Sequence, residues 1–143
     1  MALLKRRDLG TMPDGLMKAS VELTKGMLVQ RKLVNGEYVI ALPENGKPVY
    51  GFVTLREDEA VYKASHYDTI EAGKRAVVYT LVKDNEWATD QFAEGLAMGD
   101  LAKAGTDGKV VKASGAEDAL FEVIEVTEAM AGYENALVTV KVL

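Results

Sequence analysis

The residues able to do chemistry are few and far apart. His66, the only histidine, stands in "YKASHYDT" with Ser65 beside it and Asp68 two positions on. A Ser-His-Asp set is a geometry among residues distant in sequence, so this adjacency does not build one, and a surface histidine is expected. The run Glu57-Asp58-Glu59 reads as a solvated face. Any two distant acids can meet in a glycosidase-type pair, but nothing singles one out. Residues 98–114, "MGDLAKAGTDGKVVKAS", hold three glycines and two aspartates. A phosphate loop needs its glycines to open a helix, whereas here "VVKA" follows, a strand pattern. A calcium loop needs oxygen ligands at alternating positions. Asp100 and Asp107 instead stand seven residues apart with Leu, Ala and Lys between them. The stretch therefore reads as a strand, a turn at "TDG" and a returning strand, with Asp107 accepting turn N–H groups and Gly108 left-handed. The chain has no cysteine, which removes disulfides, thiolate zinc sites and cysteine nucleophiles together. No catalytic set, cofactor or metal site is expected.

Aromatic residues offer binding in place of catalysis. Trp87 is the only tryptophan; exposed it would be an anchor, buried an ordinary part of the core, and the core is the expectation. Tyr50, Tyr62, Tyr67 and Tyr79 read as strand and rim residues.

The elements that carry these residues read as strands. "MLVQRKLV" and "EYVIAL" flank Asn35-Gly36, the strongest short hairpin signal, since both residues tolerate positive φ. "PENGKP" at 43–48 is a second turn, and "VYGFVTL" a strand in which Gly51 signals a bulge or a close backbone approach. "KRAVVYTLVK" closes on the turn Asp84-Asn85; "EWATDQFA" is a strand or a short helical start; "ALFEVIEV" and "ALVTVKVL" complete the set. In the last, Val138, Val140 and Val142 share one face, which suits a central strand. Residues 56–73 admit a helical turn or a loop. The spacing of strands and Gly-rich turns predicts an all-β fold with at most short helices, a sandwich or a barrel.

Charge divides the 143 residues unevenly. Residues 1–32 carry seven basic and three acidic side chains, leaving +4; ten against nineteen in the remainder leave −9. One cluster, Lys5-Arg6-Arg7, without interleaved aromatics before an acidic body does not describe a nucleic-acid surface. No apolar run approaches the roughly 20 residues of a membrane span, and a soluble, unprocessed chain without a membrane partner is expected. Residues 1–24 lack a regular apolar spacing and are broken by Gly10, Pro13, Asp14 and Gly15. They read as a disordered terminus, or as an arm that orders when it lies on something. The division expected is an arm, 1–24, and one β-domain, 25–143.

The segments "LTKGMLVQ", "KPVYGFVTLR", "EAGKRAVVYTL", "MGDLAKAGTDGKVVKAS" and "LVTVKVL", behind an N-terminal arm, resemble the head decoration, or cement, proteins of tailed bacteriophages. The resemblance covers most of residues 20–143. It implies a compact barrel-like or tulip-like β-domain on the outer capsid surface of the virion, made in the host cytoplasm. It also implies the major capsid protein as partner, a homo-oligomer with a trimer favoured, and reinforcement of the shell against DNA pressure. In that group the arm often grips the shell or a neighbour, so the candidate capsid-binding residues are Leu3, Leu4, Lys5, Arg6, Arg7, Leu9 and Met12. The other reading is a β-sandwich carbohydrate- or ligand-binding module with Trp87 and the tyrosines as platform.

Overall fold

Strand β5 (Leu28–Val34) and strand β6 (Glu37–Ala41) pair antiparallel, with Val34 opposite Glu37. Both residues of the intervening turn have positive φ, 50° at Asn35 and 78° at Gly36, as a two-residue type I′ hairpin requires. The computed structural model describes residues 3–7, 13–54, 69–128 and 136–143. Among these lie fourteen strands and no helix.

Two sheets of six strands form a sandwich. The first runs β1 (Leu3–Arg7), β10 (Glu86–Thr89), β14 (Leu137–Val142), β13 (Phe121–Thr127), β11 (Leu101–Ala104), β12 (Val110–Lys112). The second runs β2 (Pro13–Asp14), β9 (Val77–Thr80), β7 (Gly51–Thr54), β5, β6, β3 (Lys18–Ala19). A short pair, β4 (Leu23–Thr24) with β8 (Thr69–Ile70), stands apart. Of the expected all-β forms the sheets take the sandwich, and "EWATDQFA" supplies a strand. Residues 69–70 of the ambiguous 56–73 stretch are strand β8; its residues 56–68, with Glu57, Asp58, Glu59, Tyr62, His66 and Tyr67, lie outside the described residues.

The second sheet is apolar on both faces, and alternation along each strand assigns the residues. Leu28, Phe52 and Tyr79 turn toward the first sheet, where they meet Trp87, Phe121, Val123, Val138, Val140 and Val142. Their sequence neighbours Val29, Val53 and Val78 turn the other way into a second core with Met17, Ala19, Leu23, Ile40, Ile70 and Ala76. This is the period of 2 expected of a strand. Each such side chain, fully buried, contributes about 1.5–3 kcal/mol. The inter-sheet core is aromatic at its centre: Phe52 lies 5.9 Å from Trp87 and 5.8 Å from Phe121, and Tyr79 lies 5.0 Å from Trp87. Trp87 is 1% exposed, a core residue and not a platform.

The "MGDLAKAGTDGKVVKAS" stretch is β11, a turn and β12. The Lys109 N–H donates to Asp107 Oδ1 at 3.1 Å, and Gly108 has φ +82°. The turn also joins the sheets, because the Leu28 N–H donates to the Gly108 carbonyl at 2.8 Å. A side chain at 108 would press on Met27 Cβ, 3.1 Å away. Glycine is thus required there for conformation and for closeness. Strand β14 lies between β10 and β13, the central place its patterning implied.

Of residues 1–24, the described strands β1, β2 and β3 are laid into the two sheets. β1 is the edge strand beside β10, β2 pairs with β9, and β3 runs parallel to β6. These three strands find along the two sheets the surface that a non-periodic stretch needs for order.

Candidate functional site

Each basic residue of β1 has a place on the first sheet. Leu3 is buried opposite Thr89, and Leu4 pairs through its backbone with Ala88. The Lys5 ammonium caps the aromatic core, 5.0 Å from the Tyr79 ring and 5.8 Å from that of Trp87. Arg6 Nη2 donates to Glu125 Oε2 at 3.5 Å, and Arg7 Nη1 stands 3.9 Å from Glu86 Oε2. Both arginine side chains stay more than half exposed, at 52% and 58%. Exposed pairs of this kind contribute about 0–1 kcal/mol each, so the two guanidinium groups remain available to another surface. Leu9 and Met12 lie outside the described residues.

Across the first sheet the charges alternate. Arg7 is opposite Glu86, Glu86 opposite Lys141, and Lys141 opposite Glu122. Opposite charges directly across strands stabilise a sheet, and this face neutralises itself.

A second exposed feature is the distal half of the β5–β6 hairpin. Strand β7 pairs with β5 only at Leu28 and Val29, so residues 31–38 extend past it. Leu33 is 58% exposed and its cross-strand partner Tyr38 50%. The Arg31 guanidinium stacks 4.8 Å from the Tyr38 ring and 5.1 Å from that of Tyr50. The Tyr50 hydroxyl donates to Asp14 Oδ2 at 2.7 Å. Burial pushes the Tyr50 phenol up, and the bond to Asp14 adds to the rise. Arginine and tyrosine are the residue types that dominate binding hot spots. The sequence showed these residues, but nothing local distinguished this hairpin end as protruding.

One cleft, of about 200 Å³, lies between the 43–48 turn and the 103–120 region, lined by Pro43, Lys47, Val49, Lys103, Asp118 and Leu120 among others. Asp118 is fully engaged in structure. It accepts from Lys103 Nζ at 2.9 Å, from the Gly115 N–H at 3.0 Å and from the Ser114 N–H at 3.3 Å. These bonds, that from Lys103 first, hold its carboxyl well below the usual carboxylate range. A depressed folded pKa adds stability that is whole above the unfolded value, about 4, and is lost as pH falls below it. Urea melts between pH 5 and pH 2 are therefore expected to show a shallower acid loss for Asp118→Asn than for wild type. Parallel losses in the two proteins would contradict this role. Among the described residues no three His, Cys, Asp or Glu side chains group as metal ligands.

The fold defines a class, a two-sheet β-sandwich whose N-terminal strand closes one edge. In particular it is similar to the head fiber gp8.5 N base of bacteriophage phi29: the likeness covers 94% of this chain and 95% of that one, with a TM-score of 0.59 and 16% identity. The likeness is one of fold. No family model matches the chain, and no curated protein matches it in sequence.

Proposed function

We propose that this protein is a structural, non-catalytic component of a tailed-phage head. It binds the outer surface of the shell through the major capsid protein and stabilises the shell as a cement protein, as a homo-oligomer with a trimer favoured. The observation that carries the reading is the fold likeness to a phage head fiber base, nearly end to end in both chains. Two features of the surface support it. The half-exposed Arg6 and Arg7 lie on an edge strand, where a partner can reach side chains and backbone together. Repeated display on a symmetric shell turns such weak contacts into tight occupancy. The carbohydrate-module reading loses Trp87 from its platform, since that ring is enclosed.

The test is cosedimentation of the purified chain with phage heads lacking it. Saturable binding and a higher temperature of DNA release from decorated heads are expected. Failure to sediment with heads at any concentration overturns the proposal.

A further inference from the structure

The face of the second sheet turned away from the second core carries, along its β6–β3 edge, a row of charge that the first sheet does not. Lys18 of β3 is bridged antiparallel to Arg75 and parallel to Val39, and Val39 faces Lys32. Register partners project to one face, so Arg75, Lys18, Val39 and Lys32 form a line. Lys32 is neutralised by Glu44, 2.7 Å away. Lys18 and Arg75 are exposed, and neither has a carboxylate partner among the described residues. Glu37 lies two residues from Val39 on the same strand, yet forms an ion pair with neither Lys18 nor Lys32.

The backbone leaves these two side chains no choice. The Ala19 N–H donates to the Lys74 carbonyl at 2.9 Å, the Gly73 N–H to the Ala19 carbonyl at 2.8 Å and the Ala76 N–H to the Met17 carbonyl at 3.3 Å. Met17, Ala19 and Ala76 are held in the second core. Alternation then turns Lys18 and Arg75 outward side by side, and like charges directly opposite destabilise a sheet. A chain with 22 acidic residues against 17 basic ones has carboxylates to spare. On its other sheet the cross-strand charges alternate in sign. Here they do not.

We infer that Lys18 and Arg75 dock against the acidic surface of a second copy of this chain. The inference rests on the self-association included in the proposed function, and it names the surface that makes it. Charge complementarity identifies the occupant: residues 33–143 carry −9, and Glu94, Glu117 and Glu128 are exposed carboxylates without a cationic partner among the described residues. A basic row meeting a different, acidic surface is a head-to-tail contact, which closes into a ring where its rotation closes. Its strength falls with salt, because the charges are exposed.

The experiment is sedimentation equilibrium of the full chain at low and high salt, with Lys18→Gln/Arg75→Gln and Lys18→Glu/Arg75→Glu beside wild type. Thermal melts at a dilution where all are monomeric accompany it. Wild type is expected to associate, and the Gln pair to dissociate at about tenfold higher concentration or more. Its monomer is expected to melt no lower than wild type, since a repulsive pair has gone. A merely structural role would lower both together. Association of the Gln pair as tight as wild type overturns the inference. If wild type is monomeric throughout yet binds heads, the row does not meet a second copy and the inference falls, with only the oligomeric part of the proposed function. Retention of wild type but not the Gln pair on DNA, or loss of head binding with association unchanged, assigns the row to another partner and likewise overturns it.

Discussion

Gly51→Ala is expected to destabilise the protein by about 3 kcal/mol, with a loss of folding at physiological temperature if total stability lies at the low end of the ordinary range. The reason is distance, not conformation. Gly51 pairs with Thr80 in the β7–β9 ladder and with Val29 in the β5–β7 ladder, at the centre of the second sheet. A Cβ built there collides with the carbonyl oxygen of Tyr79 and lies 2.8 Å from its carbon. Those are backbone atoms, so no rotamer change relieves the contact. Either β7 or β9 must move, and each carries residues of both cores: Phe52 and Tyr79 toward the first sheet, Val53 and Val78 toward the second. Overpacking alone costs about 1–3 kcal/mol; a shift that loosens two cores puts the cost at the upper end. Gly46→Ala is the control. Its φ, unlike that of Gly51, is positive, at 77°, but a Cβ there meets nothing within 4 Å, so it is expected to cost about 1 kcal/mol. Chemical denaturation of both variants checks the difference. Equal costs would mean that β7 and β9 adjust without disturbing either core.

Gly51 was legible in the sequence, and why it was legible explains what was not. A glycine inside an apolar strand pattern announces a close approach, Asn-Gly between strands announces a hairpin, and Asp-Gly announces a turn. Each is local chemistry, readable without knowing the partner. The two-residue strands β2, β3 and β4 are the opposite case. Their partners are Tyr79 and Val78, Val39 and Ile40, Ile70 and Thr69, and for β2 and β4 these stand more than 40 residues away. Two residues carry no period, and Pro13 and Gly15 argue against a strand. One trace existed: Met17, Ala19 and Leu23 are buried and spaced by even intervals, while Lys18, Ser20 and Glu22 between them are exposed. The candidate site was half legible for a similar reason. The sequence displays the cluster Lys5-Arg6-Arg7, but the aromatic rings and carboxylates it meets belong to strands some 70 to 120 residues on. The like-charge pair Lys18–Arg75 cannot be read from spacing at all, since the bridge depends on which sheet edge the 73–76 segment reaches.

Removal of residues 1–7 is expected to separate what β1 does for the fold from what it does for binding, with Trp87 as the reporter. Without β1, strand β10 becomes the edge of the first sheet. The Lys5 ammonium leaves the Tyr79 and Trp87 rings, and Leu3 leaves the core. Loss of the buried leucine costs about 2 kcal/mol. The cation–π contacts add about 0.5–1 kcal/mol, and the bared β10 edge invites pairing with other chains. The truncated protein should melt lower, aggregate more readily and show red-shifted Trp87 emission. Its failure to bind heads would then say nothing about contact with the shell. Arg6→Glu/Arg7→Glu asks that question directly. The backbone of β1, Leu3 and Lys5 stay in place; only two exposed ion pairs are lost, and Glu125 and Glu86 gain like-charged neighbours. About 1–2 kcal/mol of stability is at stake, and Trp87 emission should match wild type. Under the proposed function this variant should lose occupancy on heads by tenfold or more, about 1.4 kcal/mol per site, with a larger apparent effect where copies bind together. If it decorates heads as wild type does, Arg6 and Arg7 serve only the sheet, and the shell contact belongs to another surface, with the exposed Arg31–Leu33–Tyr38 end of the β5–β6 hairpin the next to substitute.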